Sequence, residues 1–169
     1  MSSNPRLHSA KPAQAFTVAS GESRDGKALY VVGDELFVKI PSRETNGAFA
    51  VIEDHTPLGG GPPLHLHFEQ DEWWYIVEGK FLYEVDGKQF YAGPGDTVYA
   101  PKGTRHAFKN VGTTPGHSIV TVVPGGLDEF FEEITATIPK DAPPDPAVIA
   151  PIFLKHGMEL LGPPIEPKE

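Results

Sequence analysis

Two histidines one residue apart, His65 and His67, lie in the stretch Gly59-Gly-Gly-Pro-Pro-Leu-His-Leu-His-Phe-Glu-Gln-Asp-Glu72. On a strand, alternate side chains share a face, so both imidazoles project the same way, about 6.6 Å apart. Rings leaning toward a common centre can share one metal ion through bonds of about 2.0–2.2 Å. Glu72 follows a short turn and offers a carboxylate from the neighbouring strand, with Glu69 and Asp71 as nearby alternatives. A further donor must come from elsewhere. His106 stands on a later extended segment, just after Pro101-Lys-Gly-Thr-Arg105. His8, His55, His117 and His156 belong to no such pattern.

Positioning these groups requires many short elements. Gly and Pro number 18 each in 169 residues, too many for a long helical bundle and too few for a low-complexity chain. Extended segments rich in Val, Ile, Phe, Tyr and Trp follow at close spacing over 28–32, 35–40, 48–53, 63–68, 72–77, 80–85, 88–92, 97–100, 106–110 and 117–123. Gly33-Asp34, Asn46-Gly47, Glu78-Gly79 and Asp86-Gly87 separate several of them. Asp-Gly and Asn-Gly suit hairpins, because both central positions of a type I′ turn need positive φ. This spacing predicts a sandwich or barrel. After Pro124-Gly-Gly126 the period changes: Leu127, Phe130, Phe131 and Ile134 mark one amphipathic helix over 127–136. A Pro-rich linker spans 139–146, and Asp145 followed by Pro146 opens a second short helix over 147–155. The tail at Gly162-Pro-Pro164 reads as extended. The chain divides into an irregular arm (1–26), a β-barrel (27–126) and a C-terminal helix, linker and tail (127–169).

At this level of detail the sequence resembles the cupins. Their first motif is Gly, five residues, His-x-His, three or four residues, Glu, six residues, Gly; Gly59, His65, His67, Glu72 and Gly79 fill every fixed place. Their second is Gly, five residues, Pro-x-Gly, two residues, His, three residues, Asn; Gly95, Pro101, Gly103, His106 and Asn110 do the same. The short gap between the motifs is that of small single-domain members. The resemblance implies an all-β double-stranded β-helix, a jelly-roll of the RmlC-like type, with one or two short C-terminal helices. It also implies one divalent transition metal (Fe, Mn, Ni, Co, Cu or Zn) held by His65, His67, Glu72 and His106. Imidazole and carboxylate accept all of these ions, whereas calcium and magnesium prefer oxygen.

Resemblance to the quercetinase branch implies a dioxygenase of a small enol or hydroxy-aromatic compound, with Glu72 both ligand and proton acceptor. The alternatives are a metal- and ligand-binding cupin without turnover, or a metal-dependent decarboxylase or isomerase of a small keto acid, since fold does not set function. Strand parity puts Trp74 and Ile76 on the face of Glu72, and Phe108 on that of His106, as candidate pocket residues. Trp73 and Tyr75 then face outward, against another sheet, the helix or a second subunit, and such outward aromatics point to a homodimer. Arg105 is a candidate for a substrate carboxylate, against the plainer reading of a solvated surface residue. The helix over 127–136 is expected to lie on the barrel and partly close one mouth.

A net charge of −9 without a basic patch disfavours nucleic acid. The chain has no cysteine, hence no disulfide framework or thiolate nucleophile. It also lacks any apolar run of membrane-spanning length. The polar N-terminus lacks the apolar stretch of a signal peptide, so a cytoplasmic location is expected.

Overall fold

The computed structural model describes residues 14–140, 142–143 and 145–168. The chain alternates extended segments with tight turns: β1 (Ala28–Val31), β2 (Asp34–Ile40), β3 (Ala50–Thr56), β4 (Pro63–His67), β5 (Asp71–Glu78), β6 (Phe81–Val85), β7 (Lys88–Ala92), β8 (Thr97–Ala100), β9 (His106–Asn110) and β10 (Gly116–Val123). Then come α1 (Leu127–Thr137), α2 (Pro146–Lys155) and β11 (Met158–Pro164). One sheet runs β1-β2-β3-β10-β5-β8 and the other β11-β4-β9-β6-β7. Every described pairing is antiparallel. The fold is a jelly-roll barrel with two short helices, as expected. Of the expected N-terminal arm, residues 1–13 lie outside the described residues, and 14–26 carry no strand or helix.

Alternation builds the core. On β5, Glu72, Trp74 and Ile76 are buried while Tyr75 is exposed. Ile52, Trp74, Ile76, Val120 and Val122 of the first sheet join Phe81, Tyr83 and Phe108 of the second in one apolar cluster. Leu127, Phe130 and Ile134 of α1, and Ile149, Ile152 and Phe153 of α2, belong to the same cluster. The helices are thus part of the core rather than an appendage. Asp145 caps α2, accepting from the Ala147 amide at 2.9 Å, and the helix continues through Pro151. The start of α1 is fastened to the Ser42–Thr45 turn, where the Ser42 amide and hydroxyl both donate to Asp128. Its far half is braced to the end of α2 by Glu133, which holds Lys155 Nζ and His156 Nε2 at 2.7 Å each.

One strand exceeds the sequence expectation. The tail forms β11, which pairs with β4 so that Met158 sits opposite His67 and Leu160 opposite His65. A register shift separates Leu160 from Pro164, where the glycine and prolines interrupt the ladder. One glycine is dictated by close approach. Gly61, at φ +138°, lies so near the Phe108 carbonyl that a Cβ would stand 2.1 Å from its oxygen.

Candidate metal centre

His65 and His67 come from β4, His106 from β9 and Glu72 from β5. His65 and His106 are cross-strand partners in the second sheet. Glu72 reaches in from the first sheet, where it faces Ala100 and Val122 along the ladder. The cluster therefore bridges the two layers. All four residues are buried, and their candidate donor atoms lie within 4.8 Å of one another. Glu72 Oε2 is 3.0 Å from His106 Nε2 and 3.3 Å from His67 Nε2. The rings of His67 and His106 stack at 19°, with centroids 5.4 Å apart.

Each histidine is oriented from behind. Nδ1 of His65 donates to the Pro63 carbonyl at 2.8 Å, and Nδ1 of His106 to the Thr104 carbonyl at 3.0 Å. Nδ1 of His67 donates to Gln70 Oε1 at 2.7 Å. The Gln70 amide is itself fixed, since its nitrogen donates to the carbonyls of Pro124 and Gly125. With Nδ1 occupied as a donor, each ring presents the Nε2 lone pair inward, as a metal ligand must. His67 Nε2 is buried and has no hydrogen-bond partner. Such an orphaned acceptor among three others fits a bound cation, because an unmet buried polar group is costly.

The electrostatics of His65 and Glu72 agree. Burial, together with the neighbouring His106 and His67, pushes the His65 imidazole down, keeping it neutral. Burial pushes His67 down too, but Glu72 and Gln70 outweigh it and the net shift is upward. Burial alone would raise Glu72; His67 and His106 prevail and hold its carboxyl well below the usual range. A neutral imidazole and an ionised carboxylate are the forms that bind metal.

His65, His67 and Glu72 open onto a cavity of about 60 Å³, with His106 behind them. Trp74 and Phe108 line it. Ile76 is fully buried but does not line it; parity selects the face of a strand, not the depth along it. Leu127, Phe130 and Phe131 of α1 cover the cavity together with Phe153 of α2 and Met158 of β11, whereas Ile134 packs away from it. Arg105 is exposed, with its amide bonded to Asp86, and does not line the cavity. Glu69 and Asp71 also stay outside the cluster. Asn110 ties the loop between β9 and β10, donating to the carbonyls of Thr56 and Thr114 and accepting from the Gly112 amide.

Sequence reasoning missed two acids in the cavity wall, Asp34 and Asp54. Burial raises both, each also against a neighbouring negative charge: Asp54 beside Asp34, and Glu72 beside Asp54. Asp54 is pushed up to about 7 even though Thr56 donates to it. Burial, with Asp54 and Glu72, also raises the Tyr83 phenol, whose buried hydroxyl lacks a partner. The missed signal was an acid in step with buried Ala50, Ile52 and Thr56 on β3.

Residues 53–123 match the family model described as "Cupin domain". No curated protein matches the sequence closely. Among solved structures, KdgF from Halomonas sp. is similar at 20% identity and TM-score 0.58, over 69% of this chain and 98% of that one. A protein from Thermotoga maritima described as a predicted oxalate decarboxylase is similar at 20% identity and TM-score 0.57, over 65% and 99%. An RmlC-like cupin from Shewanella frigidimarina is similar at 21% identity and TM-score 0.55, over 69% and 98%. Likeness at this identity shows fold alone. No helix among the described residues is long and apolar enough to cross a membrane. Residues 53–123 thus resemble a Cupin domain, and the chain shares the jelly-roll fold of those structures.

Proposed function

We propose that the protein is a metal-dependent oxygenase, similar to quercetinase-type cupins, acting on a small enol or hydroxy-aromatic compound. The observation that carries this reading is a cluster of three oriented imidazoles and one carboxylate, of which His65, His67 and Glu72 line a cavity walled by Trp74, Phe108, Phe130, Phe131 and Phe153. His65, His67, Glu72 and His106 would hold a divalent transition ion. When bound, that ion supplies Lewis acidity and redox chemistry. The aromatic wall excludes water and offers flat apolar surface to a ring or enol. Glu72 is a poor base while His67 and His106 hold it, so it accepts a substrate proton only on leaving one of them. Asp54, whose carboxyl is pushed up to about 7 and so exchanges its proton near neutral pH, stands in the same wall to relay it.

The cavity volume favours a second reading, a decarboxylase or isomerase of a small keto acid. About 60 Å³ accommodates only a few heavy atoms unless α1 yields, and two acids in the wall suit a polar substrate. Oxygen uptake by metal-reconstituted protein with catechols, flavonols and related enols supports the first reading. Carbon dioxide release or isomerisation without oxygen supports the second; absence of turnover leaves a binding protein. The exposed aromatics of β5 and β8, Tyr75 and Tyr99, with half-buried Trp73 between the strands' partners, support a homodimer through this face. Sedimentation of wild type against Tyr75→Ser/Tyr99→Ser tests that.

A further inference from the structure

A second group of possible donors lies on the opposite face of β3 from the cavity. Along this strand Asp54 points inward, so Glu53 and His55 point outward. His117 of β10 is the cross-strand partner of His55. Nε2 of His55 lies 3.0 Å from Glu53 Oε1, and Nε2 of His117 lies 3.1 Å from the same oxygen. The candidate donor atoms of the three residues lie within 4.8 Å of one another.

Simple ion pairing does not account for this arrangement. Two imidazole nitrogens converge on one oxygen, yet only the His55 contact has hydrogen-bond geometry. His117 Nε2 is buried without a partner. A cation shared by the three groups satisfies both nitrogen lone pairs at once. The distances fit, since two donors at about 2.1 Å from one ion and at right angles to each other are about 3.0 Å apart. Surrounding contacts hold the donors ready. Phe37 packs edge-on against His55, and the rings of His55 and His117 meet at 4.7 Å. Lys39 Nζ sits 2.7 Å from Glu53 Oε2, leaving Oε1 to face the histidines. The hydroxyl of Ser20 and the amide of Gly21 also donate to Oε1.

We propose that Glu53, His55 and His117 form a second divalent-metal site, on the outer face of the six-stranded sheet, for a late first-row ion such as zinc, nickel, copper or cobalt. Two imidazoles and one carboxylate are the donors such ions favour. His55 is partly exposed, so water completes the coordination. Because Ser20 and Gly21 share the carboxylate, an ion here ties β3, β10 and the segment before β1 to one point.

Titration of the full chain, stripped of metal, with zinc by calorimetry and with cobalt by visible absorption tests the site. Wild type should take up about two ions per chain, and His55→Ala/His117→Ala about one. His65→Ala/His67→Ala should retain the ion lost in the other variant. If that variant fails to fold by circular dichroism, the comparison of wild type with His55→Ala/His117→Ala decides alone. Equal uptake by those two proteins overturns the proposal. Uptake insensitive to His65 and His67 but sensitive to His55 and His117 would instead sink the interior centre and leave this one standing.

Discussion

Gln70 Oε1 accepts from His67 Nδ1 at 2.7 Å, while the nitrogen of the same amide donates to the Gly125 carbonyl at 2.9 Å. One side chain thus joins a candidate metal ligand to the chain entering α1. Gln70→Leu removes both links without touching the inward nitrogen of His67. Metal affinity should fall by about 10–100-fold, as for other second-layer losses, with the metal-free melting temperature little changed. Competition against a chromophoric chelator measures it; unchanged affinity would show that Gln70 does not orient the ligand.

Metal removal should lower stability through the interior cluster. An ion that binds only the folded chain raises the melting temperature by mass action. Chelation should therefore depress the midpoint of His55→Ala/His117→Ala, which retains the interior cluster, and leave unmoved that of the quadruple variant His55→Ala/His65→Ala/His106→Ala/His117→Ala, which lacks both groups. Thermal denaturation with and without chelator reads both.

Asp54 should make the metal-free protein less stable as pH rises. Its unfolded carboxyl releases a proton near 3.8, whereas the folded one holds it to about 7. Between those values the folded state carries the extra proton, so stability falls through this window and levels above it. Asp54→Asn should flatten the slope and exceed wild type most on the alkaline side. Urea midpoints across the window check the sign; parallel curves would refute it.

The cover should be separable into packing and access. Phe130 is 3% exposed, so Phe130→Ala should cost about 3–5 kcal/mol. Phe131 lines the cavity but is only partly buried. Phe131→Ala should cost less and admit a bulkier apolar probe. Chemical denaturation and fluorescence of a naphthol-sized ligand give the two readouts. Equal costs with unchanged probe binding would argue against α1 as a cover.

Gly61 and Gly103 should respond very differently to alanine. At Gly61 a Cβ meets the Phe108 carbonyl at 2.1 Å, so Gly61→Ala must displace β9 and should yield little soluble protein. Gly103, at φ +77°, has open space around it. Gly103→Ala should cost only the strain of a left-handed residue, about 1 kcal/mol. Soluble yield and urea midpoints decide.

Much of the centre was legible because its signals are local. His65 and His67 share a face by parity alone, and the resemblance to the cupin motifs, with Gly79 and Gly95 in their fixed places, implied Glu72 and His106. Strand and helix ends fell within a few residues of the pattern, since Asp145-Pro146 and Leu127-Phe130-Ile134 carry their own start and period. The rest depended on distance in the chain. β11 was hidden by Gly162-Pro163-Pro164, which read as a tail until β4 was seen to need a partner. Asp54 fell just beyond the extended segment expected over 48–53, whereas the strand runs on to Thr56. The meeting of Glu53 with His117 has no motif, only a register between strands about 60 residues apart.

The pairing of β4 with β9 on one side and β11 on the other has a kinetic consequence. β4 is joined to partners that both lie far along the sequence, and contacts of that kind form slowly because a long loop must close first. The hairpin of β6 and β7 needs no such closure. The strand carrying His65 and His67 is therefore set late, after the local hairpins. During refolding, His65 and His67 stay neighbours in the chain before their strand is set, so a metal ion added early meets a bidentate fragment rather than the finished pocket.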